Sequence, residues 1–277
     1  MLFMINRLLI QATIPIKLLL IVFLLIYGYF LAIYVAIVKC PQQQRRLQLK
    51  LARHWQQLFL KIIGVKVKTF GQALQPGSLV VSNHISWLDI VITGSQQSVF
   101  FLAKSEVRQW PLIGKLATLA GTLFINRQGH CSRSINRQIA ESLHRQQSVL
   151  IYAEGTSSDG QSVLNFHPKL FSSAIIAKKP IQPILIQYFT GQSADYQIAP
   201  FIGDDTFHQH LFRLLAAPPI TAHIHYLPCI NSELLTDENN NARILAQQSC
   251  ISIRAKHQHS RHQIQQPSPV KALLDSL

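Results

Sequence analysis

The sequence predicts an α/β fold, a mostly parallel β-sheet covered by helices, with a membrane helix at the N-terminus. After residue 64, short segments rich in β-branched and aromatic residues alternate with helical stretches, the pattern of a parallel sheet buried under helices. Before that point, residues 18–38 form an apolar run without a single charged side chain. At 1.5 Å per residue such a run reaches about 31 Å, the thickness of a bilayer's hydrocarbon core.

Residues 1–40 are therefore predicted to be a hydrophobic membrane anchor, with a buried core helix as the alternative. The positive charge after the apolar run is heavier than the charge before it, where Arg7 and Lys17 lie. The following basic residues are Lys39, Arg45, Arg46, Lys50 and Arg53. The positive-inside rule then keeps the rest of the chain on the cytoplasmic side of a bacterial-type inner membrane. Pro15 interrupts the apolar character, and the sequence leaves open whether the segment spans the bilayer once or dips in and returns.

Residues 41–64 are predicted to form an amphipathic helix. Pro41 suits its first turn and Gly64 suits its end. Apolar residues recur between them at spacings of three and four: Leu47, Leu51, Trp55, Leu58 and Ile62. We expect this face to pack on the main domain or to lie on lipid headgroups.

Residues 65–230 are predicted to form the main α/β domain. The expected strands lie at 65–70, 78–82, 99–103, 121–125, 148–153 and 183–188, with a further strand around 223–225. The expected helices lie at about 86–95, 109–118, 132–146 and 168–179. Residues 231–277 are predicted to be a helical and polar C-terminal tail, with a helix around 241–256. Its histidines are expected to be solvated rather than to bind a metal.

The composition favours a membrane-associated protein with an anionic partner. The chain of 277 residues is 48% hydrophobic and 14% charged, and its net charge is +14. Such a charge attracts a membrane surface, a phosphorylated substrate or a nucleic acid. A membrane-tethered nucleic-acid-binding protein is the remote alternative, because the basic residues are spread along the chain without a recognisable DNA-binding motif. The four cysteines have no CxxC spacing, which is typical of packing residues in a reducing compartment.

The segment VVSNHISWLDI, residues 80–90, puts His84 and Asp89 where the core is expected. Leu79–Val81 should be a buried strand, so His84 follows its C-terminal end, and Ser82 and Asn83 suit the N-cap of the next helix. If both residues were helical they would lie about 140° apart, so they meet only if His84 stands outside the first turn. A carboxylate on one ring nitrogen would leave the other nitrogen as a base. By spacing alone, such a pair is more often structural than catalytic.

Two further polar insertions follow predicted strands. GTLFINR places Arg127 after one strand, and VLIYAEGTSSDG places Glu154, Gly155 and Thr156 after another. Arginine is a natural partner of phosphate, and glycine allows backbone N–H groups to approach an anion. Each insertion alone is typical of an ordinary turn, but three of them after three hydrophobic strands predict one convergent site.

These motifs resemble, in order, the four sequence blocks of the glycerolipid and lysophospholipid acyltransferases. The blocks are NHISWLD, GTLFINR, EGTSSDG and the IQPI around Pro183. The chain looks like a 1-acylglycerol-3-phosphate acyltransferase, with correspondence from about residue 54 to residue 190, and the resemblance implies the glycerolipid acyltransferase fold.

The resemblance implies a direct acyl transfer without a cofactor. His84, oriented by Asp89, would act as general base on the hydroxyl of a lysophospholipid, and acyl-CoA or acyl-carrier protein would be the co-substrate donor. Arg127, Glu154, Gly155 and Thr156 would hold the acceptor headgroup. Phe124 would shape that pocket, Lys104 would meet a phosphate, and Pro183 would support the pocket or the acyl channel. The implied partners are the lipid membrane, the lysophospholipid and the acyl donor, with no nucleic acid and no metal.

One departure from the family pattern bears on the acceptor. The third block usually reads Pro-Glu-Gly-Thr-Arg-Ser, whereas here Ala153 precedes Glu154 and Ser157 replaces the arginine. The main expectation is 1-acyl-sn-glycerol-3-phosphate as acceptor, with phosphatidic acid as product. The alternative is a lyso-ornithine lipid, because EGTSSDG followed by LNF resembles a subgroup whose acceptor carries an amino acid headgroup.

Overall fold

A computed structural model describes residues 10–73, 76–109, 113–125, 132–232 and 238–265. Within them lies one sheet with the strand order β1-β8-β6-β2-β5-β3-β4, and the short β7 pairs with β6. The strands are β1 (Val65–Phe70), β2 (Leu79–Ser82), β3 (Phe100–Lys104), β4 (Leu123–Ile125), β5 (Val149–Tyr152), β6 (Ile181–Thr190), β7 (Ser193–Ala194) and β8 (Ile220–Tyr226).

Neighbouring strands are parallel except where β6 meets β7 and β8. The predicted α/β fold with a mostly parallel sheet is thus confirmed.

The helices are α1 (Ile14–Ala36), α2 (Pro41–Ile63), α3 (Leu88–Gln96), α4 (Ile113–Leu119), α5 (Ser132–His144), α6 (Ser172–Ala177), α7 (Phe207–Leu215) and α8 (Glu238–Gln265). Short 3-10 helices occupy Ser105–Gln109 and Pro168–Phe171.

Two hydrophobic layers cover the two faces of the sheet. One face packs against α1, α2, α3 and α7, through side chains such as Leu24, Leu60, Ile92 and Leu215. The other face packs against α5, α6 and α8 through side chains such as Ile139 and Ile253. Because both faces are covered, the central strands are apolar throughout rather than alternating, as in the buried strand Leu79–Val81.

The two N-terminal helices pack on each other and on the domain. Trp55 Nε1 of α2 donates to the carbonyl of Leu24 of α1 at 2.8 Å. Gly28 allows this approach, because a Cβ there would lie 2.8 Å from Trp55 Nε1. α2 ends as predicted at Gly64, which adopts a left-handed conformation (φ +79°) that glycine tolerates without strain. The amphipathic helix therefore packs on the domain, with Phe59 and Ile63 buried.

The structure differs from the sequence prediction mainly beyond residue 195. α7 has no counterpart among the predicted helices. α8 is longer than the predicted 241–256, and it continues into the stretch expected to be a polar tail. Ala242, Leu245, Ala246, Cys250 and Ile253 line the face of α8 that is buried in the core. This helix is therefore part of the domain's packing.

Candidate active site

The strand order brings together two segments that are about 70 residues apart in sequence. β2 lies parallel to both β5 and β6, with Ser82 opposite Tyr152 on one side and Ile184 on the other. Parallel neighbours end at the same edge of a sheet, so the segments that follow β2 and β5 emerge together. These segments carry His84 and Glu154.

His84 and Asp89 are in direct contact. Nδ1 of His84 lies 2.8 Å from Oδ2 of Asp89. α3 begins at Leu88, with Trp87 as its N-cap, so His84 stands outside the helix and folds back onto its first turn. The condition under which the two side chains can meet is thus fulfilled.

Ser82 and Asn83 do not cap this helix, contrary to the sequence prediction. Asn83 binds β6 instead: its Nδ2 donates to the carbonyl of Ile186 at 3.0 Å, and its Oδ1 accepts the Ile186 N–H at 2.8 Å. This two-way hydrogen bond fixes the residue before His84 to the centre of the sheet.

The Asp89 carboxylate is fully buried and is held by several donors. Oδ2 also accepts the backbone N–H groups of Ile85 at 2.7 Å and Ser86 at 2.9 Å. Oδ1 accepts the hydroxyl of Tyr188 at 2.5 Å. Burial raises the pKa of Tyr188 well above its ordinary value, and the nearby Asp89 raises it further. The tyrosine therefore remains a hydrogen-bond donor, and Asp89 is held in one orientation.

This arrangement defines what His84 can do chemically. A carboxylate only accepts hydrogen bonds, so Nδ1 of His84 carries the proton that it donates to Asp89. Nε2 then has a free lone pair and can take a proton from a substrate. The imidazole also stacks on Tyr152, with ring centroids 4.2 Å apart and an interplanar angle of 18°. The His84 side chain remains 20% exposed, so a substrate can reach it.

Glu154 lies beneath this site with its carboxyl buried. Its Oε2 accepts the backbone N–H of His84 at 3.3 Å, and its Oε1 accepts that of Leu164 at 3.0 Å. Burial raises the pKa of Glu154 to about 7, against the opposing effect of these two hydrogen bonds. Both carboxyl oxygens therefore bind the protein's own backbone, and Glu154 holds the His84 segment against the loop that follows β5.

A large cavity opens beside His84. Its volume is about 880 Å³, and its walls come from α1, α2, α3, the ends of β3 and β5, and α7. The described lining is largely apolar and includes Leu31, Trp55, Val91 and Phe101. Gly155 and Thr156 also line it, as does His84 itself. The site thus combines a base with a space that suits a hydrocarbon chain.

Three other residues were predicted to belong to the site. Arg127 lies outside the described residues, and Lys104 ends β3 with a side chain that is also outside them. Phe124 lies on the edge strand β4, where the guanidinium of Arg108 is 5.9 Å from its ring centroid. Thr122 and Ile125, which belong to the same segment of the chain, line the cavity.

Ser157 stands where the family resemblance leads one to expect arginine. Its Oγ donates to the carbonyl of Phe201 at 2.5 Å, and the Phe201 N–H donates to the carbonyl of Ile85 at 3.0 Å. Phe201 also lines the cavity. The serine therefore ties the loop after β5 to the loop after β7, and Phe201 in turn binds the His84 segment and brings an aromatic ring to the cavity wall.

α7 completes this wall. Trp87 Nε1 donates to Nδ1 of the buried His210 at 2.9 Å, so Nε2 of His210 carries the proton that it donates to the carbonyl of Ala199 at 3.1 Å. Burial lowers the pKa of His210, which favours this neutral form. Tyr152, Tyr188 and His210 were not predicted to belong to the site. Tyr152 and Tyr188 carried a sequence signal, since each is a polar residue within a predicted apolar strand.

Comparisons with known proteins agree with this geometry. A model of the family described as Acyltransferase matches residues 64–187. The lyso-ornithine lipid O-acyltransferase of Pseudomonas aeruginosa is 43% identical over 187 residues, which are 68% of this chain and 72% of that protein. The 1-acyl-sn-glycerol-3-phosphate acyltransferase of Neisseria meningitidis serogroup B is 31% identical over 189 residues, 68% of this chain and 73% of that protein.

A solved structure shares the fold over nearly the full length. The crystal structure of PlsC, the 1-acyl-sn-glycerophosphate (LPA) acyltransferase of Thermotoga maritima, superposes with a TM-score of 0.67. The likeness covers 95% of this chain and 98% of that chain at 18% identity. It therefore extends to α1 and α2, which precede the residues that the family model matches.

Proposed function

The chain belongs to the acyltransferase family, and from that membership we propose that it is a membrane-bound O-acyltransferase whose acceptor is a lysolipid. It moves a fatty acyl group from acyl-CoA or acyl-carrier protein to the free hydroxyl of that lipid. The observation that carries the proposal is the contact of 2.8 Å between His84 and the buried Asp89, beside a cavity lined mostly by apolar groups.

The chemistry follows from the unprotonated Nε2 of His84. Nε2 takes the proton from the acceptor hydroxyl while the oxygen attacks the thioester carbonyl, and a new C–O bond forms. When the tetrahedral intermediate collapses, the C–S bond breaks and the imidazolium returns its proton to the leaving thiolate. The acceptor supplies the nucleophile, so no acyl-enzyme is required. Asp89 stabilises the imidazolium during the step, and no metal or dissociable cofactor takes part.

We propose that the acceptor is a lyso-ornithine lipid rather than 1-acyl-sn-glycerol-3-phosphate. The higher identity to a lyso-ornithine lipid O-acyltransferase, 43% against 31%, supports this acceptor. Ser157 also supports it, because a neutral side chain that binds the Phe201 carbonyl replaces a fixed positive charge. Losing that charge weakens a site for a phosphate monoester more than a site for an amino acid headgroup, which carries a smaller net charge.

Offering both acceptors to the purified protein tests this choice. We expect kcat/KM for the lyso-ornithine lipid to exceed that for lysophosphatidic acid at least about tenfold, a difference of about 1.4 kcal/mol in transition-state binding. Each acceptor should be assayed in detergent with acyl-CoA and with acyl-carrier protein, so that the donor is identified as well. A preference for lysophosphatidic acid would restore the phosphate acceptor, and transfer to neither lipid would overturn the proposed acceptor class.

We also propose that α1 does not cross the bilayer but lies in one leaflet with both of its ends on the cytoplasmic side, so that the domain sits on the cytoplasmic face of the inner membrane. Among the described residues, the helix that includes α1 is the one long and apolar enough to cross a membrane. Yet it is held at three points along its length: Lys17 Nζ donates to the Leu215 carbonyl of α7, and α2, which itself packs on the domain, binds α1 by Trp55 to the Leu24 carbonyl and by Gln44 Nε2 to the Val35 carbonyl. A helix that crossed the bilayer would draw this polar domain into the hydrocarbon. The other face of α1, with Phe23, Phe30 and Ile33 more than half exposed, suits lipid.

Thiol labelling at the two ends of this helix distinguishes the two topologies. Cys40 is exposed just after α1, and Thr13→Cys places a second exposed thiol before it. Each thiol is introduced singly into a variant without other cysteines and treated with a membrane-impermeant reagent in inside-out vesicles. We expect both positions to be labelled, because both ends face the cytoplasm. Labelling of Cys40 alone would mean that α1 spans the bilayer.

A further inference from the structure

The C-terminal helix α8 contacts the loop between β5 and the 3-10 helix almost residue by residue. Along α8, Cys250 Sγ donates to the carbonyl of Leu164 at 3.4 Å, and His257 Nε2 donates to that of Gly160 at 3.0 Å. Arg254 donates from Nε to the Val163 carbonyl and from a terminal nitrogen to Oδ1 of Asn165, both at 2.9 Å. Arg261 donates to the carbonyl of Gln161 at 2.9 Å.

The same loop, residues 158–165, also contacts the segment that carries His84. Ser158 donates to the His84 carbonyl from its N–H at 2.8 Å and from its hydroxyl at 3.1 Å. Gly160 packs so closely on Ile85 that a Cβ there would lie 2.9 Å from the Ile85 side chain. The Leu164 N–H binds Glu154, whose other oxygen accepts the His84 N–H. The loop therefore binds the His84 carbonyl directly and is linked to the His84 N–H through Glu154.

We propose that α8 positions the general base: by holding the loop 158–165, it fixes Glu154 and the backbone of His84. Arg254 is the central positioning residue, because its guanidinium binds the loop at two places. The helix does not touch the reacting atoms and acts through the loop. The inference rests on the proposed role of His84 and adds to it a part of the chain that lies outside residues 64–187, the range matched by the family model.

The geometry argues for positioning rather than for ordinary packing. The apolar face of α8, including Leu245 and Ile253, already supplies its burial against the core. Four of the five polar contacts described above instead run to backbone carbonyls of one loop, which would otherwise need other partners. Hydrogen bonds from a charged guanidinium to such carbonyls are stronger than neutral ones. They hold in place a loop that has no regular secondary structure between Glu154 and Pro168.

Two variants on the same helix test the inference. Arg254→Ala removes both loop contacts, whereas Arg243→Ala makes the same change at an exposed position near the start of α8. We expect Arg254→Ala to lower kcat about tenfold with little change in KM for either substrate. Arg254→Lys, which keeps the charge but not the fork of donors, should lie between this variant and the unchanged protein. Arg243→Ala should leave kcat unchanged.

Hydrogen exchange of backbone amides supplies a readout that does not depend on activity. The reporting amides are those of His84, Ser158 and Leu164, each of which donates within this arrangement. In Arg254→Ala we expect faster exchange in peptides covering 83–86 and 157–165, with unchanged exchange in β6 and α5. Equal exchange in the Arg254 and Arg243 variants would overturn the inference, and so would faster exchange throughout the protein.

A double variant checks that Arg254 acts through Glu154. In a Glu154→Gln background the link between loop and base is already weakened, so Arg254→Ala should lower kcat less than it does alone. Full additivity of the two effects would contradict the inference. If the protein transfers no acyl group at all, the proposed function fails, whereas the exchange pattern still decides whether α8 holds the His84 segment.

Discussion

Replacing His84 with alanine is expected to lower the rate of acyl transfer about 10²–10⁴-fold, the usual contribution of a general base. The change removes the imidazole that couples the acceptor proton to Asp89, and it leaves the cavity that binds the substrates in place. KM for both substrates should therefore change little, because the loss falls on the chemical step. The rate is measured with labelled acyl donor and the acceptor that the unchanged protein prefers.

His144→Ala is the matched control for this variant. His144 is exposed at the end of α5 and does not belong to the described cavity lining. The same chemical change there should leave the rate unaltered. If His84→Ala kept more than about a tenth of the activity, His84 would contribute too little to be the general base.

The sequence predicted which segments meet, because neighbouring parallel strands run in the same direction and end at the same edge of the sheet. Leu79–Val81 and Leu150–Ile151 are apolar enough to be recognised as buried strands, and their following residues had to emerge at one edge if the strands are neighbours. The direction of each side chain did not follow from this reasoning. Glu154 was expected to face a headgroup, yet its carboxyl turns inward to the backbone of His84 and Leu164.

Contacts that depend on the order of the strands could not be predicted from the sequence. Tyr188 follows Asp89 by 99 residues, and its hydroxyl reaches the carboxylate only because β6 lies next to β2. No local pattern encodes that neighbour. The role of α8 has the same origin: Arg254 lies in the predicted helix around 241–256 and His257 just beyond it, and neither has a predicted partner until the helix is placed against the loop 158–165. Periodicity finds such a helix, but it does not identify the loop that the helix contacts.

Asp89→Asn is expected to lower the rate nearly as far as His84→Ala, although the two side chains have almost the same shape. The amide oxygen can still accept the N–H groups of Ile85 and Ser86, so the turn before α3 can persist. The negative charge that stabilises the imidazolium is lost. In the other amide orientation the nitrogen takes the place of Oδ2 and faces His84, so the histidine adopts the wrong tautomer and the two N–H groups lose their acceptor; the corresponding change in serine proteases costs on the order of 10⁴-fold. We therefore expect a loss of about 10²–10⁴-fold, bounded by the effect of removing His84 itself.

The Tyr188→Phe variant distinguishes the effect of the Asp89 charge from the effect of holding Asp89 in one orientation. This variant removes the Tyr188 hydroxyl that donates to Oδ1 and leaves Oδ2 with His84, so it should cost no more than about tenfold in rate. Asp89→Asn combined with His84→Ala should be no slower than His84→Ala alone, because the aspartate has nothing to act on once the imidazole is gone. Steady-state rates of the three variants and the double variant, with circular dichroism to verify folding, decide the point. Activity of Asp89→Asn near that of Tyr188→Phe would show that the carboxylate only orients His84, and that its charge adds little to the transition state.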